Sequence, residues 1–588
     1  MDFNRFLSKV ERSEPVGVIG SPSTTGLLTI DVLENAVASK LVGELLIFAF
    51  KQDGLNHFAL GQVTEVELRN QWLEKSTMRS LARQKGFVYP VSNIQDVHIA
   101  KMNVGAVFSY NGNGFVPSIL GTVPPTGTEL TRVSDEILDA ILYNHRDEIF
   151  YLGRIYGSKT KMPFWFKHFD SGRQGAGEAY HIGIFGKTGS GKSVLAKMML
   201  VAYAKHKNMS VIIIDPQGEF AADMKGQTVP GGFRLNLREI LENKLHRKIE
   251  VLSVKDIVLD RWDLFLEILL ESQFFEKLSV PAGENRRIAC ELLVEKLRKK
   301  GVTLTKLIER NAFEKAWEIL CDESNQKIFY RSKESRERFN TLLKEADKDE
   351  LYYEIWQPVA QLFNENRSGA KKVDVILKKS FSENERHIIA IDLSSTSAKD
   401  ILWNDKIQAL VIKRLLEGIK HSAERSYKER KSLNTLVILD EAHRLAPKEK
   451  PDEEYYEKVR SILLDAVRTT RKYGLGWMFI SQTLSSLHRE IINQLRIMFF
   501  GYGLSMGAEL MALKEIIGGS PESLSLYQSF KDPHSAFDVS SREYSFMSFG
   551  PVSPLSFSGA PMFFTAFNNP EEFLEANMST FQEEIFTL

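Results

Sequence analysis

Gly186-Lys187-Thr188-Gly189-Ser190-Gly191-Lys192-Ser193 is the stretch from which the rest of the chain can be read. It fits the phosphate-loop pattern of Gly, four residues, then Gly-Lys-Ser. His181-Ile182-Gly183-Ile184-Phe185 before it reads as a short buried strand. Val194 to Lys205 after it reads as a helix, with Val194, Leu195, Met198, Met199 and Val201 apolar. Strand, glycine loop and helix are the context in which the motif has physical meaning. The glycines let backbone N–H groups turn inward around phosphate oxygens, and the helix N-terminus adds its positive dipole end. Lys192 is expected to reach the β- and γ-phosphates of ATP, and Ser193 to place its hydroxyl on Mg²⁺.

Downstream, Leu436-Val437-Ile438-Leu439-Asp440-Glu441 is a buried strand ending in two carboxylates. Beside a phosphate loop this is the second expected signature. Asp440 is expected to hold Mg²⁺ and Glu441 to act as the base that orients the attacking water. Between the two motifs, Val211-Ile212-Ile213-Ile214-Asp215 is another buried strand, followed by Pro216-Gln217-Gly218-Glu219-Phe220. Ligands bind at the carboxyl edge of an open parallel sheet, so Asp215 and Glu219 either face the nucleotide or its water, or cap a turn. A helix over 455–473 carries Arg468 and Arg471 near its end, and the strand Gly476–Ile480 leads to Ser481-Gln482-Thr483. Gln482 sits where a side chain can sense a γ-phosphate. Either arginine is a candidate finger for a neighbouring subunit's nucleotide, or simply a cation favoured at a helix C-terminus.

The totals set the frame. A chain of 588 residues exceeds what one hydrophobic core organises. Its 76 basic and 76 acidic residues cancel, which argues against a wholly basic nucleic-acid binder while leaving room for a local basic channel. The two cysteines, Cys290 and Cys321, lack the close partners of a zinc site, and so few suggest a reducing compartment. Met1-Asp2-Phe3-Asn4-Arg5 lacks the form of a signal peptide, and no apolar run, Leu45 to Phe50 included, approaches membrane-spanning length. The expectation is a cytoplasmic protein with no membrane partner.

The fold class expected is α/β: a RecA-like phosphate-loop core of the ASCE type with an N-terminal β-barrel and a helical insertion. Short glycine-broken strands between Val16 and Tyr156, with a turn at Asp53-Gly54, suggest the barrel. From about Val254 to Ser380 the apolar spacing turns helical, in Trp262 to Leu270 and Ile288 to Leu297. The charged run Arg331 to Arg338 reads as a solvated helix face. The expected boundaries are 1–156 for the barrel, 157–253 and 381–545 for the two parts of the core, 254–380 for the insertion and 546–588 for a tail.

Taken together, these residues resemble the HerA family of the HerA–FtsK ring ATPases. The matching elements are the barrel, the phosphate loop, Asp215-Pro216-Gln217-Gly218-Glu219-Phe220, Asp440-Glu441-Ala442-His443, Thr470-Arg471-Lys472-Tyr473-Gly474 and Ile480-Ser481-Gln482. The family's usual His of Asp-Pro-His-Gly-Glu is Gln217 here, and its Gly-Arg-Lys-Tyr-Gly begins with Thr470. The resemblance implies a HAS-type barrel and a homo-hexameric ring that drives double-stranded DNA through its channel with ATP. It implies an operon-encoded effector: the NurA nuclease, another nuclease, or a sirtuin-like NAD hydrolase in antiphage defence. Phe549 to Ser556 looks like the family's terminal brace across a neighbouring subunit.

Asp440-Glu441-Ala442-His443 also spells the motif of DEAH-box helicases. Those need a second ATPase-like domain after it, and only Arg444 to Leu588 remains. A ring that scaffolds a partner enzyme with little DNA transport stands as the alternative. A secretion or conjugation pump ranks below it for want of a membrane anchor. Arg444, Lys448 and Lys450 are candidate DNA contacts or an ordinary exposed loop.

Overall fold

The computed structural model describes residues 3–172, 174–226, 235–518, 520–557 and 559–578. Near the N-terminus, alternation of apolar residues closes a sheet on itself. The strands Pro15–Ile19, Leu27–Val32, Val97–Tyr110, Leu55–Arg69, Leu45–Gln52 and Glu129–Arg132 pair antiparallel in that cyclic order, making a closed six-stranded barrel. Asp53 and Gly54, with φ of 51° and 76°, form the two-residue turn expected between Gln52 and Leu55. Leu46, Phe48 and Phe50 fill the barrel interior, while their neighbours Leu45 and Ile47 face outward into a core shared with the rest of the chain.

That shared core lies on one face of a single eleven-stranded sheet. Seven strands are parallel, in the order Ile249–Ser253, Ile388–Asp392, Ser210–Asp215, Thr435–Leu439, Leu475–Ser481, His181–Phe185 and Leu495–Gly501. Their near-continuous runs of Ile, Val and Leu are what a sheet covered on both faces demands. Val211, Ile213, Leu436 and Ile438 pack towards the helix Lys192–Ala204 and the barrel. Ile212, Ile214, Val437 and Leu439 pack into the opposite core, with the helices of the insertion.

The insertion is helical, as the spacing predicts, with helices Trp262–Glu271 and Glu284–Lys299 over the expected segments. It leaves and rejoins the sheet between two adjacent strands. Its root is closed by the short parallel pair Ile257–Val258 and Lys371–Lys372. Buried Arg414, on the long helix Asp405–Lys428, clamps that root. Its Nε and Nη2 donate to both carboxylate oxygens of Asp260, at 2.9 and 3.1 Å, and Nη2 also donates to Asp374 at 3.1 Å. The charged run lies largely on the helix Lys333–Glu345, which buries only Phe339 and Leu343.

Ile149–Ile155, read with the barrel over 1–156, lies in the large sheet beside Lys161–Trp165, and Tyr544–Phe549 and Met562–Ala566 join them there as antiparallel strands. The segment whose resemblance implies a brace also packs against its own chain. Trp165 N–H donates to the Val552 carbonyl at 3.0 Å, and the Ser553 hydroxyl donates to the Pro163 carbonyl at 2.7 Å. The reason is burial: Val552, Leu555, Phe546 and Phe564 cover the core between sheet and barrel. Residues 579–588 of the expected tail, and Met1-Asp2, lie outside the described residues.

Gln62 joins the two bodies. Its amide, 2% exposed, donates to the carbonyls of Gly43 at 2.7 Å and Phe563 at 2.9 Å, and accepts from Phe563 N–H at 2.8 Å. Gln62→Leu keeps the volume and removes these partners. It is expected to destabilise the barrel–sheet junction by about 2–4 kcal/mol, read from the urea midpoint; an unchanged midpoint would assign the junction to apolar packing alone.

Candidate active site

The strand His181–Phe185 lies between Leu475–Ser481 and Leu495–Gly501, so the glycine loop emerges at the carboxyl edge of the parallel strands. Lys187 N–H donates to the Tyr502 carbonyl at 3.0 Å and ties the loop to the next strand's end. Gly189 and Gly191 have φ of 80° and 88°, a region that side chains resist. A Cβ on Gly191 would meet the Tyr544 ring at 2.6 Å, and one on Gly189 would run into the His534 ring. These two rings, supplied from more than 340 residues downstream, press on the loop and were not legible in the sequence. Ser190 Oγ is buried in the loop without a partner. Lys192 is buried at the helix start, and its Nζ donates to the Lys187 carbonyl at 3.0 Å. Burial lowers its pKa, and Glu441, Asp440 and Glu219 pull it back up.

Four buried acids meet at the same edge: Asp215, Asp392, Asp440 and Glu441. Asp215 takes the capping role. Its Oδ1 accepts from Gly218 N–H at 2.8 Å and its Oδ2 from Ala221 N–H at 2.9 Å, holding the start of the helix Glu219–Met224. Even so, burial raises its pKa to about 6, with Asp392 and Glu219 adding to the shift. Asp392 is held by Lys225 Nζ at 2.9 Å and the Ser394 hydroxyl at 2.6 Å. Glu219 is exposed beside them, and its charge is felt at Lys192, Asp215 and Asp440.

Asp440 and Glu441 do different things because the backbone turns between them. Asp440 Oδ1 accepts from Glu441 N–H at 2.9 Å. Burial, then the charge of Glu441, raises the Asp440 pKa to about 7. Glu441 itself adopts φ of 53°, an uncommon strain for a non-glycine residue and one that collects at functional sites. Its Oε1 accepts from Gln482 Nε2 at 2.7 Å, and Gln482 Oε1 accepts from the Thr188 hydroxyl at 2.9 Å. An unbroken chain of hydrogen bonds thus runs from the phosphate loop through Gln482 to Glu441. Glu441 Oε2 is buried with no hydrogen bond. His443 Nε2 stands 3.5 Å from it, and His443 Nδ1 lies 3.3 Å from Ser481 Oγ, so the histidine links the acid to the strand that carries Gln482.

The arginines are not part of this constellation. Arg468 pairs with Glu490 at 2.7 Å, and Arg471 lies exposed in the turn before Leu475. Both stand at the amino edge of the sheet, a strand length of about 16 Å from the glycine loop. Neither can serve its own loop. Arg444 reaches back to within 3.8 Å of Glu441, while Lys448 and Lys450 lie exposed in the loop that follows.

The residues fit a divalent ion. The buried acids outnumber the buried cation among them, Asp440 Oδ2 accepts no hydrogen bond among the described residues, and the half-buried Ser193 opens the helix beside Lys192. No group of three His, Cys, Asp or Glu side chains among the described residues is arranged to hold a metal alone. An ion here would be held by the Ser193 hydroxyl and the Asp440 carboxylate, a hard oxygen set that suits Mg²⁺.

Comparison with known proteins bears on these motifs. Residues 179–419 match the family model "Helicase HerA, central domain". No curated protein matches the chain. Among solved structures, VirB4 of Thermoanaerobacter pseudethanolicus is 16% identical with a TM-score of 0.38, covering 72% of this chain and 97% of its own. The bacterial conjugative coupling protein TrwBdeltaN70 is 14% identical with a TM-score of 0.37, covering 74% and 92%. The genome packaging NTPase B204 from Sulfolobus turreted icosahedral virus 2, in complex with AMPPCP, is 11% identical with a TM-score of 0.27, covering 66% and 98%. These structural likenesses are too distant to carry an assignment. Among the described residues, no helix is long and apolar enough to cross a membrane.

The acid cluster has a pH signature. With its pKa raised to about 7, folded Asp440 holds a proton that the unfolded chain, with a carboxyl near 3.9, gives up earlier. The folded state binds more protons across that window, so stability falls as pH climbs through it. Without Mg²⁺ or nucleotide, Asp440→Asn is expected to melt higher than the wild type by roughly 2–4 °C at pH 8. The gain should fade towards pH 4 in scanning calorimetry, and an equal gain at both pH values would remove the titration from Asp440.

Proposed function

We propose, from the match of residues 179–419 to the HerA central-domain model, that the protein is an ATP hydrolase with a RecA-like core, acting as a homo-hexameric ring on double-stranded DNA. The observation that carries the hydrolase reading is the Thr188–Gln482–Glu441 chain of hydrogen bonds. It supports this reading because it links Glu441, the expected base, by hydrogen bonds to the loop expected to hold phosphate.

In this reading, the loop N–H groups from Gly186 to Ser193 and the start of the helix take the phosphates. Lys192 exchanges the Lys187 carbonyl for phosphate oxygens and neutralises their charge. Ser193 and Asp440 would hold Mg²⁺, which would supply Lewis-acid stabilisation of charge on the phosphates. Glu441 uses its unpartnered Oε2 to orient and polarise the attacking water, and receives its proton. Gln482, released from Thr188 when the γ-phosphate competes for it, reports the state of the loop to Glu441 and, through Ser481 and His443, to the strand behind. Arg468 or Arg471, out of reach of its own loop, serves the nucleotide of the neighbouring copy, which requires a ring. DNA transport and an effector partner on the ring complete the proposal and rest on the family alone.

Two measurements test it. Glu441→Gln is expected to bind ATP with little change and to hydrolyse it about 100-fold more slowly or worse; an unchanged rate would remove Glu441 as the base. The ATPase rate of a sample sized by mass photometry should rise when linear double-stranded DNA is added to hexamers. A hexamer indifferent to DNA would overturn the translocase reading in favour of a scaffold.

A further inference from the structure

The two longest barrel strands pair to their ends, at Arg69 opposite Val97, and between these ends the chain leaves the barrel for residues 70–96. The excursion carries the helices Gln71–Glu74 and Ser76–Lys85, neither of which buries a residue. Over 71–85 the basic residues are Lys75, Arg79, Arg83 and Lys85, against the single acid Glu74. Lys75, Arg79 and Arg83 recur every four residues, so they line one face of the helix at steps of about 6 Å. Met78, Leu81 and Ala82, which run from one flank of this stripe round to the opposite side, are half-buried.

What sets this helix apart is the absence of neutralising partners. Elsewhere the chain uses the same four-residue spacing to pair its helical cations, as in Arg287–Glu291, Lys299–Glu295, Arg310–Glu314 and Arg425–Glu429. Among the described residues, Lys75, Arg79, Arg83 and Lys85 make no ion pair; Lys75 instead lies over the Trp72 ring, 5.0 Å from its centre. In a chain of zero net charge, an unpaired stripe is a concentration of potential that a polyanion fits. Three large aromatic side chains stand beside it in solvent: Trp72, Phe87 and Tyr89, the last 78% exposed.

A cationic stripe with exposed aromatic faces is the pairing of elements that grips a nucleic-acid backbone and its unstacked bases. We propose that the excursion 70–96 is a DNA-binding surface. Lys75, Arg79 and Arg83, with Lys85, hold backbone phosphates, and Trp72, Phe87 and Tyr89 receive unpaired bases at the end of a duplex. The inference rests on the reading of the chain as a DNA-acting protein, and it assigns contacts to the barrel rather than to the loop of Arg444, Lys448 and Lys450. Leu68 and Ile94 are also exposed here, so a protein partner is the competing occupant that the test must separate. The ladder between Gln62 and Arg69 puts the surface about 23 Å along the strand from the barrel–sheet junction.

Fluorescence anisotropy of the full chain with labelled linear DNA, blunt or with a single-stranded tail, tests this across a range of salt. The triple substitution Arg79→Ala, Arg83→Ala, Lys85→Ala sits on exposed helix positions and should leave ATP hydrolysis without DNA unchanged. It is expected to weaken binding of both DNAs by tenfold or more, and to lower the slope of log affinity against log salt by about 2–3. Trp72→Ala with Tyr89→Ala should erase only a preference for the tailed DNA; a wild type with no such preference overturns the aromatic half. If the wild type binds DNA and the triple variant matches it in affinity and slope, the inference falls alone and the surface belongs to a protein partner. If the wild type binds no DNA, the translocase reading falls with it.

Discussion

Like charges buried side by side repel more strongly than in water, and this chain places four buried acids at the carboxyl ends of three neighbouring strands. Each is tolerated by a different device. Asp215 gives both oxygens to backbone N–H groups at a helix start. Asp392 has Lys225 and Ser394. Glu441 has Gln482 on one oxygen and no hydrogen bond on the other, with His443 and Arg444 at 3.5 and 3.8 Å. Asp440 has a single N–H and the field of Lys192, too little to offset burial and the charge of Glu441, which raise its pKa to about 7. The cluster is therefore incompletely compensated at Asp440 and at one oxygen of Glu441, the two positions that the proposed chemistry uses.

The sheet makes that arrangement rigid. Its strands are covered on both faces, by the insertion and the long helices on one side and by the loop's own helix and the barrel on the other. Close packing leaves the strand ends little freedom to relax away from one another. The barrel is joined to this body through Gln62 and a common apolar core. Tyr544, which opens the first of the antiparallel strands, also packs against Gly191 of the phosphate loop.

Much of this was legible in one dimension, because local rules govern it. The glycine loop, the flanking strand and helix, and the Asp440-Glu441 strand end lie where short-range pattern places them. The turn at Asp53-Gly54 and the helical insertion were equally plain, since turn chemistry and apolar spacing act over a few residues. The choice between ligand and cap at Asp215 was open until Gly218 and Ala221 were seen to donate to it. The strand Ile149–Ile155 reads with the barrel and 546–566 as a tail, yet both lie in the large sheet, because a strand's sequence does not say which edge it will join.

The sequence by itself determined the inventory: which strands are buried, which loop can wrap phosphate, which strand end carries two acids. Those properties follow from side-chain periodicity and backbone freedom, which are local. Only the tertiary structure decided the relations. It put Thr188, Gln482 and Glu441 on one chain of hydrogen bonds, and His534 and Tyr544 against the loop. It set Arg468 and Arg471 on the far edge of the sheet and left the cations of Ser76–Lys85 without partners. Hydrogen bonds, ion pairs and desolvation depend on distances between residues hundreds of positions apart, and those distances exist only once the sheet has chosen its strand order.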